Sequence, residues 1–223
     1  MSPCSSLFTG AVPGLKITYF PVRGRCSAMR MLLADQGQTW EEEVVAIDQW
    51  FSGDMKKSCV FGQLPKVQDG DLVLFQSNAI LRYLGSKFGC HGTDIKVNAE
   101  IDMINDGVED LRIKYLTLIY KNYETGKADF IKSLPDELKW FEGLLKNNNK
   151  GESAGFIHGE KICYADYNLV DLLLNLQTLE PTCLKELPLL QAYYQRVTSR
   201  PALSKYLKSD AHTKLPINGN GKQ

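Results

Sequence analysis

Strand patterns stop near residues 85–94 of this sequence, and this change constrains the fold most strongly. On the amino-terminal side, runs of β-branched and aromatic residues predict strands, and apolar stripes at helical spacing predict helices. On the carboxyl-terminal side only the helical spacing remains. Because Gly, His and polar residues mix in 85–94, a domain boundary is expected there. The sequence therefore predicts a mixed α/β domain followed by an all-helical domain.

The predicted α/β domain covers residues 15–89 in the order β-α-β-β-β-α. Asp69-Gly70 divides its last strand segment, because Asp-Gly between apolar alternations is a strong hairpin signal. The residues between the second and third strands, which include Trp50 and Lys56, are expected to form an irregular loop. The expected strands are 16–22, 41–47 and 66–75, and the expected helices are 25–36 and 77–88.

The predicted helical domain covers residues 90–223. Within it, 167–179 is apolar almost all round, which is typical of a buried central helix. Residues 1–14 contain Ser, Pro and Gly and are expected to be a flexible extension. They do not read as a secretory signal, because they lack a basic start and a continuous apolar core. The other expected elements are a long helix over 97–118, helices at 128–146, 188–199 and 201–208, a surface loop at 147–155 and an irregular tail at 215–223.

Composition and charge exclude several classes of protein. The 26 basic and 26 acidic residues cancel, so the chain lacks the basic footprint of a nucleic-acid binder. No apolar run approaches the ~20 residues of a membrane span. The six cysteines are scattered and the three histidines are isolated. This pattern argues against a disulfide frame or a metal site and favours reduced thiols in the cytoplasm.

The segment 16–26, Lys-Ile-Thr-Tyr-Phe-Pro-Val-Arg-Gly-Arg-Cys, has the pattern of a strand, a loop and the start of a helix. Tyr19 stands at the end of the strand, where open α/β sheets place their ligand sites. Its hydroxyl could donate a hydrogen bond to an anion, and Arg25 could add positive charge. A plain core tyrosine is the alternative. No CxxC follows, so two-cysteine thioredoxin chemistry is excluded here.

Two dipeptides stand at strand ends of the same domain. Leu64-Pro65 precedes a strand, and a cis bond there would expose the Leu64 backbone for pairing with a peptide. An ordinary trans proline is the alternative. Gln76-Ser77 falls where a strand ends and a helix begins. Ser77 is either a plain helix cap or part of a carboxylate site, because a helix N-terminus offers free N–H groups and a positive dipole.

Together these segments resemble the pi-class glutathione transferases, and the resemblance runs from about Pro13 to Gln223. It implies a thioredoxin-like domain followed by an all-α domain, with cis proline at Leu64-Pro65. It also implies a cytoplasmic homodimer active in detoxification, which joins its co-substrate glutathione to hydrophobic electrophiles such as activated aromatic halides or unsaturated carbonyls. The resemblance implies no metal, prosthetic group, nucleic acid or membrane insertion.

The resemblance further implies how glutathione is held. Tyr19 is expected to donate a hydrogen bond to the sulfur, which favours the thiolate without making the tyrosine a general base. Gln76 and Ser77 are expected to hold the γ-glutamyl end, and Trp50 and Lys56 the glycyl carboxylate. Asp110 is implied to reach the ammonium from the other subunit, although it also suits a solvated helix carboxylate. The implied glutathione-binding set is Tyr19, Arg25, Trp50, Lys56, Gln63, Leu64, Gln76, Ser77 and Asp110.

The second-substrate site is expected to be apolar, because glutathione supplies the nucleophile and the acceptor is an electrophile. Tyr120 is implied to hydrogen-bond to an acceptor oxygen. Most of the matching residues, taken singly, also suit the core. The implied electrophile-binding set is Phe20, Val22, Ile47, Leu116, Tyr120, Asn218 and Gly219.

Phe61 matches an aromatic side chain that inserts into the partner subunit, between two helices. An aromatic anchor in a pocket suits the energetics of an interface. Mammalian pi-class chains commonly have tyrosine at the position of Phe61 and proline at that of Trp140, so this chain departs from the pattern twice. The positions that would receive the anchor are Met103, Ile104, Gly107 and Trp140.

Two cysteines carry predictions of their own. Cys59 follows Lys56 and Lys57 in the loop, and nearby cations lower a thiol pKa, so it is expected to alkylate fastest. An inert buried thiol is the alternative. Cys163 replaces the serine of a Ser-x-x-Asp capping box that ends at Asp166, and sulfur is a weak acceptor, so half of the cap should be weakened.

Two other functions suit the same fold. One is a non-enzymatic ligand- or partner-binding protein, crystallin-like or kinase-restraining. The presence of Tyr19, Gln76 and Ser77 favours an enzyme, because a purely structural chain needs none of them. The other is a glutathione-dependent thiol–disulfide enzyme, against which a tyrosine rather than a cysteine at position 19 argues.

Overall fold

A four-stranded mixed sheet forms the core of the amino-terminal half. The structure, a computed structural model, describes residues 14–148 and 155–223. The strands are β1 (Leu15–Tyr19), β2 (Glu41–Val44), β3 (Lys66–Asp69) and β4 (Leu72–Phe75), in the order β2-β1-β3-β4. β1 pairs parallel with β2 and antiparallel with β3, which pairs antiparallel with β4. The hairpin expected at Asp69-Gly70 is confirmed, and Gly70 has a φ of +60°.

Both early strands are shorter than predicted. β1 ends at Tyr19 because Pro21 has no N–H to continue the ladder, and Val22 N instead donates to Phe20 O at 2.7 Å. The first helix, α1 (Ser27–Asp35), begins later than predicted because Gly24–Cys26 forms a 3₁₀ turn. The predicted extension, residues 1–14, lies outside the described residues apart from Gly14.

The segment expected to be an irregular loop between β2 and β3 contains two short helices, so that expectation is wrong. These are α2 (Ile47–Ser52) and α3 (Met55–Ser58). Neither is long enough to show the periodicity of a helix in the sequence. The half closes with α4 (Ser77–Lys87), close to the predicted helix.

The carboxyl-terminal half is helical, as predicted. Asp94 caps the longest helix, because its Oδ1 accepts from the N–H groups of Lys96 and Val97 at 2.9 and 3.1 Å. The central helix is buried along most of its length, which confirms that prediction. The helices are α5 (Ile95–Lys121), α6 (Tyr123–Asn148), α7 (Tyr164–Leu179), α8 (Pro188–Thr198), α9 (Pro201–Leu207) and α10 (Asp210–Thr213).

The two ends of this half differ from the sequence predictions. α6 starts five residues before its predicted start at 128 and continues through Pro135. α10 was not predicted. Of the loop expected at 147–155, residues 149–154 lie outside the described residues. The tail at 215–223 has no regular structure, yet Ile217 and Asn218 are buried.

In the capping box at the start of α7, the half supplied by the Asp166 side chain is a short hydrogen bond. Cys163 N donates to Asp166 Oδ2 at 2.7 Å, and the Cys163 sulfur faces the backbone N–H of Asp166. The fully buried Asp166 carboxylate also accepts from Ile157 N at 2.9 Å and from Tyr193 Oη at 2.7 Å. One carboxylate therefore ties the loop before α7, the helix start and α8 together.

The main hydrophobic core runs through both halves. Polar contacts join them as well: Asp35, at the end of α1, pairs with Tyr167 Oη at 2.7 Å and with Arg200 Nε at 2.6 Å. The tail also docks on the loop after β1, where Arg23 N donates to Pro216 O at 2.9 Å and Gly24 N to Ile217 O at 3.0 Å. The end of β1 is thus enclosed by both halves.

Candidate active site

A cleft of about 370 Å³ opens where the end of β1, the start of β3 and the start of α4 meet. These elements come together because β1 and β3 are antiparallel, so that Thr18 lies opposite Lys66. Seven of the nine lining residues belong to the site predicted from the sequence. The lining consists of Phe20, Arg25, Trp50, Gly62, Gln63, Leu64, Pro65, Gln76 and Ser77.

Tyr19 does not itself line this cleft. Its side chain is buried next to Phe20, which does line it, with 5.4 Å between the ring centroids. Its hydroxyl oxygen accepts a hydrogen bond from Arg25 N at 3.1 Å. Burial, with a smaller contribution from the Cys26 thiol, raises the pKa of Tyr19 well above its ordinary value, although the Arg25 N–H opposes the change. The phenol is therefore protonated at neutral pH, and its proton is not used in the bond to Arg25.

Peptide geometry shapes the opposite wall of the cleft. The Leu64–Pro65 bond is cis, as the resemblance implied. Gln76 has a φ of +70°, a left-handed conformation that is uncommon for a residue with a side chain. Its Nε2 donates to Gln63 Oε1 at 3.1 Å. Gln63 and Gln76 are thus held side by side at the rim.

Arg25 reaches Ser77 rather than open solvent. Its Nε donates to Ser77 Oγ at 2.9 Å, and its Nη2 pairs with Glu109 Oε2 at 2.5 Å. Ser77, the first residue of α4, is buried, and its hydroxyl accepts the bond from Arg25. The proton of that hydroxyl is left available to an acceptor in the cleft.

The α2–α3 segment supplies the third wall. Trp50 is buried and meets Phe20 edge-on, with 5.5 Å between the centroids. Lys56 does not line the cleft, but it adjoins Gly62, which does. Cys59 is buried in a small cluster with Val45 and Trp50. Whether Cys59 alkylates fastest stays a prediction, and its burial favours the inert alternative in this conformation.

The residues expected to bind the electrophile come from the loop after β1, from α2, from α5 and from the tail. Tyr120 is about half exposed, and its hydroxyl oxygen accepts from Gly219 N at 3.0 Å. Asn218 is buried, and its Nδ2 donates to Tyr115 Oη and to Lys222 O, both at 2.8 Å. The Asn218 amide is therefore committed to holding the tail in place. Phe20, Val22 and Leu116 are half-buried, and Ile47 is exposed.

Asp110 does not line the cleft of its own chain. It borders a separate groove of about 300 Å³ between α5 and α6. Trp140 also lines this groove and is 69% exposed, and Phe61, on the other half of the molecule, is 63% exposed. The positions expected to receive the anchor, Met103, Ile104, Gly107 and Trp140, all line this groove.

A buried polar network that was not predicted from the sequence lies behind the cleft. Glu109 and Arg112 of α5 meet Asn168 and Asp171 of α7. Each pair has i,i+3 spacing, which places its two side chains on one face of a helix, and this was the signal available in the sequence. What the sequence did not show is which pairs face each other.

Two negative findings apply to the described parts of the chain. Across residues 14–148 and 155–223, His, Cys, Asp and Glu do not gather in groups of three or more that could hold a metal ion. In the same residues, none of the helices has the length and apolar character that crossing a membrane requires.

Comparison with known proteins identifies the family. The family described as Glutathione S-transferase, N-terminal domain, matches residues 15–86, and Glutathione S-transferase, C-terminal domain, matches residues 109–210. Glutathione S-transferase P of Bos taurus is 59% identical over 212 residues, which are 95% of this chain and all of that protein. The Homo sapiens protein of the same name is 57% identical over equal shares.

A solved structure agrees with these relatives. The Pi-class glutathione S-transferase of Onchocerca volvulus superimposes with a TM-score of 0.88 at 43% identity, covering 94% of this chain and 99% of that one. Similarity therefore extends over both halves, including the residues that line the cleft. The chain belongs to the glutathione S-transferase family and is an enzyme that transfers glutathione.

Proposed function

We propose that this transferase forms the glutathione thiolate beside Tyr19 and joins it to hydrophobic electrophiles that enter from the α5 side. The observation that carries the proposal is the Tyr19 hydroxyl. The side chain is buried against Phe20, which lines the cleft, and its oxygen accepts a hydrogen bond from Arg25 N, which leaves its own proton available. Because burial raises its pKa, this phenol donates a hydrogen bond and does not remove a proton. A donor aimed at sulfur favours the thiolate over the thiol.

The remaining groups of the cleft have the chemistry that the ends of glutathione require. The Ser77 hydroxyl and the start of α4 suit the γ-glutamyl carboxylate, because helix N-termini attract anions. The Leu64 backbone suits the peptide portion, with Gln63 and Gln76 at the rim. Trp50 and the neighbouring Lys56 suit the glycyl carboxylate.

The acceptor side suits apolar electrophiles such as activated aromatic halides and unsaturated carbonyls. Phe20, Val22 and Leu116 are partly buried apolar side chains, and Ile47 adds an exposed one from α2. The Tyr120 hydroxyl receives its hydrogen bond from Gly219 N and keeps its own proton for an oxygen of the acceptor. This assignment gives the two tyrosines different partners, sulfur for Tyr19 and acceptor oxygen for Tyr120.

We further propose that the enzyme is a cytoplasmic homodimer. Phe61 would enter the partner's groove between α5 and α6, and Asp110 at that groove would serve the partner's glutathione ammonium. The separation of Asp110 from its own cleft supports this arrangement. A non-catalytic binder gains no support, because relatives similar over the whole chain carry transferase names.

Retention on immobilised glutathione, followed by an assay with a chromogenic aryl halide, tests the proposal. We expect the protein to be retained, to elute with free glutathione and to turn over the halide. Elution by S-hexylglutathione is the control for specific binding. Binding without turnover would favour the non-catalytic binder, and absence of retention would contradict the proposed cleft.

A further inference from the structure

The guanidinium of Arg112 is the most completely engaged charged group behind the cleft. It is almost fully buried on α5. Its Nη1 pairs with Asp171 Oδ2 at 2.8 Å, and its Nη2 donates to Asn168 O at 2.8 Å and to Asn168 Oδ1 at 2.7 Å. Because a guanidinium is a rigid planar fork, these bonds to α7 fix its orientation.

Arg112 in turn fixes the carboxylate of Glu109. Arg112 Nε donates to Glu109 Oε1 at 3.0 Å, and Asn168 Nδ2 approaches the same oxygen at 3.3 Å. Burial alone would raise the pKa of Glu109, but the charges of Arg112 and then Arg25 outweigh it and hold that pKa below its usual value. One carboxylate oxygen is thus committed to Arg112, which leaves the other aimed at Arg25.

Arg25, held by Glu109, in turn orients the hydroxyl of Ser77. Glu109 Oε2 holds Arg25 Nη2 at 2.5 Å, so Arg25 Nε is directed to Ser77 Oγ at 2.9 Å. Since the Ser77 oxygen accepts this bond, its own hydrogen points elsewhere. The relay therefore runs from α7 through α5 to the first residue of α4, across both halves of the molecule.

We propose that Arg112 is a positioning residue for the γ-glutamyl end of glutathione, acting through Glu109 and Arg25 on the Ser77 hydroxyl. This inference rests on the proposed role of Ser77 in the cleft. Arg112 touches no substrate. A positioning role should affect only the binding of the γ-glutamyl end, which Ser77 would hold. A general structural role should affect the binding of the whole ligand.

Two ligands and three variants test this. The ligands are S-hexylglutathione and S-hexyl-cysteinylglycine, which lacks the γ-glutamyl residue. The variants are Arg112→Lys, which keeps the charge and loses the fork, Asp171→Asn, which is nearly isosteric, and the control Arg200→Lys. Arg200 also bridges the two halves, through Asp35 at the far end of α1. Isothermal titration gives the affinities, and thermal unfolding shows that each variant is folded.

For Arg112→Lys and Asp171→Asn we expect S-hexylglutathione to bind about tenfold more weakly, because a charged hydrogen bond to the ligand loses its alignment. The affinity for S-hexyl-cysteinylglycine should stay unchanged, so the ratio of the affinity for S-hexylglutathione to that for S-hexyl-cysteinylglycine should fall. Arg200→Lys should leave the ratio as in the parent.

Three outcomes would overturn the inference in different ways. Unchanged affinities for both ligands in a folded variant would show that Arg112 has no role in binding. Equal weakening of both ligands would show a purely structural role. If the parent itself bound S-hexylglutathione no better than S-hexyl-cysteinylglycine, the assignment of Ser77 in the proposed function would fail, and the inference with it.

Discussion

The two sides of the cleft are built by different means. The proposed glutathione side comes largely from two short segments, 62–65 and 76–77, and uses backbone geometry and polar groups fixed from behind. The proposed acceptor side is gathered from the β1 loop, α2, α5 and the tail, and it presents side chains such as Ile47 and Tyr120 that are half exposed.

This difference follows from what each side must recognise. A constant co-substrate is bound best by groups that lose little freedom on binding, because preorganisation lowers the entropic cost. Acceptors vary, and an apolar, partly exposed surface tolerates variety because hydrophobic contact is non-directional. Changes on the glutathione side should therefore have sharp, specific effects, and changes on the other side broader ones.

The largest effect is expected from Tyr19→Phe, which removes the hydrogen bond to sulfur. We expect the conjugation rate to fall about hundredfold or more, as for removal of an oxyanion donor, while glutathione affinity changes little. The pKa of the bound thiol, followed by thiolate absorbance, should rise. Tyr120→Phe is the matched control and should leave that pKa unchanged. If Tyr19→Phe altered neither the thiol pKa nor the rate, Tyr19 would not donate a hydrogen bond to the sulfur, and the proposed difference between the two sides of the cleft would be contradicted.

The next largest effect is expected from acid, through His212, which lies in α10 just before the tail of the proposed acceptor side. This side chain in α10 is buried, and its backbone oxygen accepts from Arg23 Nε at 3.2 Å, beside the docked tail. Burial, with the charges of Arg23 and Arg30, lowers the pKa of His212 to about 4, although Asp171 opposes this. The unfolded chain therefore binds the additional proton first, below about pH 6.5.

Because a depressed histidine pKa makes the unfolded state bind more protons, stability is lost as the pH falls from 6.5 towards 4. By pH 5 the loss should be about 2 kcal/mol. Urea unfolding between pH 7 and pH 5 measures it. The variant His212→Phe keeps the ring packed on Tyr206 and should remove this part of the pH dependence. An identical acid response in parent and variant would contradict the assignment to His212.

A smaller effect is expected from Phe61→Ala, which tests whether each cleft depends on a second chain. Losing an aromatic anchor should cost more than about 1 kcal/mol of association free energy, and activity should fall with dilution because Asp110 would act across the interface. Sedimentation at low concentration measures the dimer. Phe51→Ala, at a similarly exposed aromatic of α2, is the control. A Phe61→Ala dimer as tight as the parent would remove Phe61 as an anchor.

The smallest effect is expected from Cys163→Ser, far from both sides of the cleft. A hydroxyl accepts a first-turn N–H better than sulfur does, so the melting temperature should rise by some part of the ~1 kcal/mol that a cap contributes. Cys183→Ser, at another buried cysteine without a capping position, should give no gain. A variant Cys163→Ser that melts no higher than the parent would show that sulfur already completes the box.

The sequence predicted what is local. The hairpin at Asp69-Gly70, the strand-to-helix junction at Gln76-Ser77 and the buried α7 are each encoded by neighbouring residues. Helices α2 and α3 were not predicted, because six and four residues are too few to show a helical period.

The buried polar network was not predicted from the sequence for a different reason. Arg25, Glu109, Arg112 and Asp171 meet only after the two halves pack. No spacing along the chain indicates that Arg112 faces Asp171, because the pairing depends on how α5 lies against α7. Most residues that line the cleft were therefore expected from the family resemblance, and the groups that orient them were not.

The left-handed backbone of Gln76 has a consequence for evolution and engineering. Glycine would adopt a φ of +70° with less strain than glutamine does. Selection for folding stability alone would therefore favour glycine at position 76. The glutamine side chain, however, supplies the amide that meets Gln63 at the rim. A library selected for thermostability should therefore drift to glycine at position 76, whereas one selected for turnover should retain glutamine.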